Sequence, residues 1–189
     1  MPLNIPPAPA AAERSLSAAL QSTTVRSPHP IYLNRGALRP VLPLPVHRLT
    51  PVPDPTGAAR SRLTGWRFLL ESGGRAVGAA ETMLTPDGWA FSHFGEGPYI
   101  ASTERAVRRA EELPGTYQPR LLSIPELYML TLWLHSDPTA EPGAGSPLPQ
   151  DILVPLAPAP PGIAGDLPVR ADTLLPVLAG RLTITAPTG

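Results

Sequence analysis

Residues 62–95 read RLTGWRFLLESGGRAVGAAETMLTPDGWAFSHFG, and this stretch decides the fold. Two runs of β-forming residues flank Ser72-Gly73-Gly74-Arg75, and paired glycines supply the positive φ that a two-residue hairpin turn requires. A second turn follows at Thr85-Pro86-Asp87-Gly88-Trp89, where proline and then glycine suit a three-residue loop with a glycine bulge. Antiparallel partners keep a constant index sum. Pairing Ser72 with Arg75 therefore sets Leu70 opposite Val77, Phe68 opposite Ala79 and Trp66 opposite Glu81. Through the second turn Met83 then meets Phe91, and Glu81 meets His93. One face is expected to carry Trp66, Phe68, Leu70, Val77, Ala79, Met83, Trp89 and Phe91, with Glu81 and His93 beside Trp66 as its polar pair.

The proline distribution frames this window. The chain holds 28 prolines in 189 residues, yet residues 56–113 contain two of them, Pro86 and Pro98. Proline fixes φ and removes a backbone donor, so continuous ladders belong mainly in that window. Residues 1–26 read as a Pro/Ala tail with a short helix near residues 12–21, and residues 27–55 as a proline-rich extended arm. The arm carries Val41, Leu42, Leu44, Val46 and Leu49, apolar side chains that a solvated linker has no use for. It is expected to lie along the domain surface or on a partner.

The remainder, residues 56–189, is expected to form one α+β domain: an antiparallel sheet built from hairpins, one main helix packed on it, and the proline-rich arms outside. The spacing of Ala106, Val107, Ala110 and Leu113 predicts that helix over residues 102–113, with Ser102 as N-cap and Pro114-Gly115 as the stop. Its apolar stripe is expected to cover the aromatic sheet face. Residues 120–124, 127–135 and 151–156 read as leucine-rich strands, the last two separated by the Pro/Gly-rich loop 136–150. Residues 171–178 read as a short helix and residues 181–185 as an alternating edge strand.

Composition excludes several classes. Fifteen acidic and 15 basic residues give a formal net charge of zero, so no global field gathers nucleic acid or an acidic membrane. All the basic residues are arginine. Cysteine is absent, which removes thiol nucleophiles, disulfides and thiolate metal sites and fits a reducing, cytoplasmic setting. No apolar run approaches the ~20 residues that span a bilayer.

Two constellations carry a chemical reading. A carboxylate beside an imidazole can orient it and support acid/base work, so Trp66, Glu81, His93, Phe91 and Trp89 form the candidate ligand site. The plainer reading, a cross-strand ion pair sealed by tryptophan, carries more weight. Pro40-Val41-Leu42-Pro43-Leu44 has the P-x-x-P form, in which a preformed extended segment can enter a partner's groove. His93 and Glu96 have an H-x-x-E spacing but lack the further ligands a metal needs. Ser123, His135 and Asp151 supply the residue types of a catalytic triad, with no spacing signal to assemble them. No cofactor motif is present. The expected function is a non-enzymatic interaction module whose partner is another protein, of accessory, adaptor or immunity type. The alternative is a small-molecule binder or hydrolase with its pocket at Trp66, Glu81 and His93.

Overall fold

The computed structural model describes residues 3–22, 36–50 and 60–185. In chain order the elements are α1 (Ala10–Gln21), β1 (Arg39–Thr50), β2 (Arg60–Ser72), β3 (Arg75–Thr85), β4 (Gly88–Gly95), α2 (Pro98–Ala110), β5 (Gln118–Ile124), β6 (Met129–His135), β7 (Ile152–Pro155), β8 (Val169–Arg170) and α3 (Ala171–Thr185). The fold is α+β, and its strands form one sheet in the order β4-β3-β2-β1-β5-β6-β7-β8. Every neighbouring pair is antiparallel except β1 and β5, which run parallel through Val46–Arg48. No helix among the described residues is long and apolar enough to cross a membrane.

The glycine turn lies where the sequence puts it. Ser72 pairs with Arg75 around Gly73 and Gly74, whose φ values are 58° and 77°. One residue further on, the register departs from expectation. Glu71 pairs with Ala76 but Leu70 pairs with Gly78, so Val77 is bulged out of the ladder. The slip carries Phe68 to Ala80 and Trp66 to Thr82, while Glu81 faces Arg67. The second turn is shorter than the expected three-residue loop: Thr85 pairs with Gly88 instead of Trp89, which sets Met83 opposite Ala90 and Phe91 opposite Thr82, and a bulge at Ser92 then restores Glu81 opposite His93. Because side chains alternate, a one-residue slip exchanges faces.

Gly65 sits at the mouth of this hairpin, paired with Met83. A Cβ there would stand 2.2 Å from the Thr82 carbonyl oxygen, a backbone atom that moves only if the strands part. Gly65→Ala is expected to cost about 2 kcal/mol in urea melts, through overpacking of the strand pair.

The proline-rich arm needs the larger correction. Over Arg39–Thr50 it is β1, inside the sheet; residues 27–35 and 51–55 of that expected arm lie outside the described residues. The prolines are tolerated because Pro40, Pro43 and Pro45 occupy the half of β1 that pairs with β2 alone. β5 joins only from Val46 onward, after the prolines end. A bulge at Leu42, with φ of 50°, lets Val41 and Leu44 share one face. Residues 3–22 of the tail pack on the domain as well, residues 1–2 and 23–26 lying outside the described residues: Leu3 bridges Tyr117, and the Asn4 amide donates to the Tyr117 carbonyl at 2.8 Å. The tail helix, the arm's strand and the remaining strands thus share one sheet and its cores.

Among the described residues three α-helices cover the sheet. On one face α2 packs Ala106 and Ala110 onto Leu44, Val46, Leu121, Leu132 and Val154, and Ile100 onto Leu69 and Ala79. On the other, α1 lays Leu16 over Trp66, Phe68, Leu70 and Ala80, while α3 lays Leu174, Leu178 and Leu182 over Leu122, Trp133 and Leu153. The aromatic wall is therefore covered by α1, not by α2 as its stripe suggested. Proline at N1 starts α2 at Pro98, so Ser102 is an interior residue instead of the N-cap. Its hydroxyl donates to Asp166, whose carboxylate also takes Arg105, tying the segment before β8 onto the helix. The expected edge strand at residues 181–185 is the last turn of α3, because Leu174, Leu178 and Leu182 continue the helical spacing.

Candidate functional site

Between α1 and α3, the centre of that second face is polar. On β5, Gln118 and Arg120 alternate with apolar residues and point the same way as Leu122. Their partners on β6 are His135 and Trp133, and β1 contributes His47 beside Leu122. Asp151 precedes β7. Gln118, Arg120, Trp133, His135, His47 and Asp151 are all buried, Arg120 and His47 with no exposed surface at all. Over them runs the loop of residues 136–150.

Burying so many polar groups is tolerable only if each finds a partner. The Arg120 guanidinium donates from Nε to Gln118 Oε1 at 2.7 Å, from Nη1 to the Ala144 carbonyl at 2.6 Å and from Nη2 to the Glu141 carbonyl at 3.0 Å. It also stacks on Trp133, 4.8 Å from the ring centroid. Gln118 Nε2 donates to the Ala140 carbonyl at 2.7 Å. His47 Nε2 lies 2.8 Å from the Pro142 carbonyl, which can only accept, so the proton sits on Nε2 and Nδ1 carries the lone pair. Ser61 Oγ is 3.4 Å from that Nδ1 and donates to the Gly145 carbonyl at 3.1 Å. From the N-terminal segment, Asn4 Nδ2 donates to the Pro138 carbonyl at 2.6 Å.

Asp151 anchors both ends of the loop. Oδ2 accepts from Trp133 Nε1 at 2.7 Å, His135 Nδ1 at 2.9 Å and the Leu148 amide at 2.9 Å, and Oδ1 accepts the Ser136 amide at 2.9 Å. Burial alone would raise its pKa, but these four donors bring it down to about 2. His47 is lowered as well, for a different reason. Burial, reinforced by the charges of Arg120 and His135, outweighs its bond to Pro142 and lowers it to about 4. Burial also lowers Arg120, to about 10, which leaves it charged at neutral pH.

The chemistry open to this cluster is restricted by its own bonding. His135 and Asp151 form an oriented imidazole-carboxylate pair, yet Ser123 pairs with Leu130 and faces the α2 side of the sheet. Among the described residues no group of three or more His, Asp or Glu side chains is placed to hold a metal ion. What the cluster does is fasten a loop.

The site expected from sequence is taken apart by the two bulges. Glu81 and His93 are cross-strand partners, but they share a face with Arg67, whose guanidinium binds the Glu81 carboxylate. Trp66 faces the other way, 2% exposed under the α1 side, with Phe91 and Trp89 part-buried in the same cluster. His93 is exposed and bonds to neighbouring Ser92, 3.0 Å away. Trp66 and the Glu81–His93 pair therefore lie on opposite faces of the sheet. Of the P-x-x-P segment, Pro40 is exposed, Val41, Leu42 and Pro43 are part-buried, and Leu44 is core. Sequence reasoning missed the Arg120 cluster, although polar residues at positions 118 and 120 of a leucine-rich strand are a readable signal of a polar stripe. One further concavity, an apolar groove of about 300 Å³, lies between α3 and the segment before β8, lined by Pro155, Ile163, Leu167, Val169, Leu174 and Val177. Comparison with protein-family models, with curated proteins and with solved structures found no match to this chain.

Proposed function

We propose that this chain is a non-enzymatic interaction module that presents loop 136–150 to a partner protein. The observation carrying this reading is the direction of the buried donors. Arg120, Gln118, His47, Ser61 and Asn4 all point at carbonyl oxygens of the loop backbone, so its conformation is fixed from beneath. Thr139, Glu141, Ala144 and Leu148 remain exposed on its outer side. A recognition loop held in one shape loses little entropy on binding, and rigidly supported loops are where binding residues concentrate. The prolines at 138, 142, 147 and 149 add to the same stiffness.

The test is isolation of the chain from its native host after mild cross-linking, beside an Ala144→Arg/Leu148→Arg variant. Both side chains point outward, so the variant should melt within about 0.5 kcal/mol of the parent, as surface changes do. A stoichiometric protein companion recovered with the parent and lost from the variant is the expected result. A companion held equally by both sinks the assignment to this loop. The apolar groove at α3 supports a second reading, as a binder of a small apolar molecule, since its volume is at the lower end of ligand pockets. Recovery of such a molecule without any protein companion would favour it.

A further inference from the structure

We propose that loop 136–150 is an acid-operated latch: as pH falls it lifts off the sheet while β1, β5 and β6 stay paired, because protonation of His47 places a second positive charge beside the buried Arg120 guanidinium, around one buried indole. The geometry is specific. Trp133 is flanked edge-on by His47, with ring centroids 5.2 Å apart, and by His135 at 5.3 Å, with the Arg120 guanidinium over its face at 4.8 Å. His47, Arg120 and Gln118 are also the groups whose donors hold the loop carbonyls. The charge change and the fastening therefore reside in the same side chains.

The groups facing His47 from each packed element leave little compensation. β5 brings Arg120 and Gln118, β6 brings His135 and Trp133, and β2 brings Ser61. The carboxylate ahead of β7, Asp151, already accepts four donors. From the loop, Glu141 and Asp137 act on Arg120 through their charges, and both are exposed. On β1 itself, Arg48 is turned to the other face and binds Glu126. A proton on His47 would add a donor at Nδ1 that Ser61 Oγ can accept, so hydrogen bonding permits protonation, and desolvation next to Arg120 opposes it.

The sign follows from linkage. With the loop closed, His47 is held low, near 4; with the loop lifted it is solvated and returns to its ordinary value of 6.5. The closed form is thus favoured fully above pH 6.5 and loses ground as pH falls toward 4, by up to tenfold per pH unit and roughly 300-fold in all. The functional meaning of the latch, release of a partner on acidification, rests on the loop being the recognition element; the opening itself is measured without a partner.

The experiment is hydrogen exchange by mass spectrometry on the full chain from pH 7.5 to 4.5, corrected for intrinsic exchange. The reporters are the amides of Ser136, Leu148 and Asp151, which bond within the latch. Their protection should fall about tenfold per unit below pH 6, while β5 and β6 amides hold theirs. His47→Gln keeps a donor for Pro142 and cannot gain a proton, so its loop protection should stay flat with pH. A pH-independent wild-type loop, simultaneous loss of loop and sheet protection, or a wild-type pH response in His47→Gln would overturn the proposal. Should that variant fail to fold, titration of the wild-type His47 imidazole by NMR decides: a midpoint near 6.5 overturns it, and one near 4 supports it. A latch that opens as described while no partner is ever lost with the Arg variants would overturn the functional reading alone.

Discussion

Arg120→Met is expected to lower the free energy of unfolding by about 3 kcal/mol, measured by urea melts at neutral pH, and to expose loop 136–150 to exchange well before the sheet. The residue links four things: Gln118 Oε1, the carbonyls of Glu141 and Ala144, and the face of Trp133. Methionine fills much of the volume but offers no donor, leaving three acceptors without this partner in a site that water reaches only if the loop lifts. Removing a buried cation also removes its desolvation cost, which limits the loss. Arg120→Lys should recover little of it. A single ammonium cannot match a planar fork whose three nitrogens point at three separated oxygens, and it does not stack on the indole in the same way. A lysine variant as stable as the parent would show that charge, and not the geometry of the fork, holds the loop.

The contrast between what was readable and what was not has a physical basis. The Gly73-Gly74 turn with Ser72 opposite Arg75 is local, set by turn chemistry within a few residues, and is found in the structure; Glu81 does meet His93, but through a shorter second turn and a bulge that offset one another. Bulges are not local in that sense. Val77 and Ser92 carry no residue signature that distinguishes a bulged position, yet they decide that Trp66 and Glu81 point apart. Prolines in residues 39–50 argued against a strand because proline lacks a donor. That argument fails where one side of the strand has no neighbour, which is a property of the whole sheet. The loop-fastening cluster is the least legible feature. Its members come from residues 4, 47, 61, 118, 120, 135 and 151; β5 and β6 bring Gln118, Arg120 and His135 together, but His47 and Ser61 join them through the parallel pairing of β1 with β5, a long-range contact no periodicity encodes. Helix covering shows the same limit. The stripe on α2 was visible, but nothing in it says which face of a two-sided sheet it covers.

Asp151→Asn is expected to cost about 4 kcal/mol at pH 7, more than any other single change considered, and to do so unevenly with pH. In the parent, Oδ2 receives three donors and Oδ1 a fourth. Asparagine must turn an amide NH2 toward one of these sets. With the NH2 at the Oδ2 position it meets the donors of Trp133, His135 and Leu148; with it at the Oδ1 position it meets the Ser136 amide. Either way buried donors face one another and one end of loop 136–150 loses its anchor, the Leu148 end in the first arrangement and the Ser136 end in the second. The pH dependence checks that the carboxylate charge is the cause. Its pKa is depressed, to about 2 from 3.8, so its contribution is present in full above pH 4 and is lost as pH falls toward 2, a loss of about 2 kcal/mol. The variant has no such titration. Unfolding curves of the two proteins, separated by about 4 kcal/mol at neutral pH, should therefore draw together by about half between pH 4 and pH 2. The fall from His47 between pH 6.5 and 4, about 3 kcal/mol where unfolding solvates the imidazole, should be common to both. A gap that stays constant down to pH 2 would mean that Asp151 acts through shape alone, and that the loop is anchored by something other than a buried negative charge.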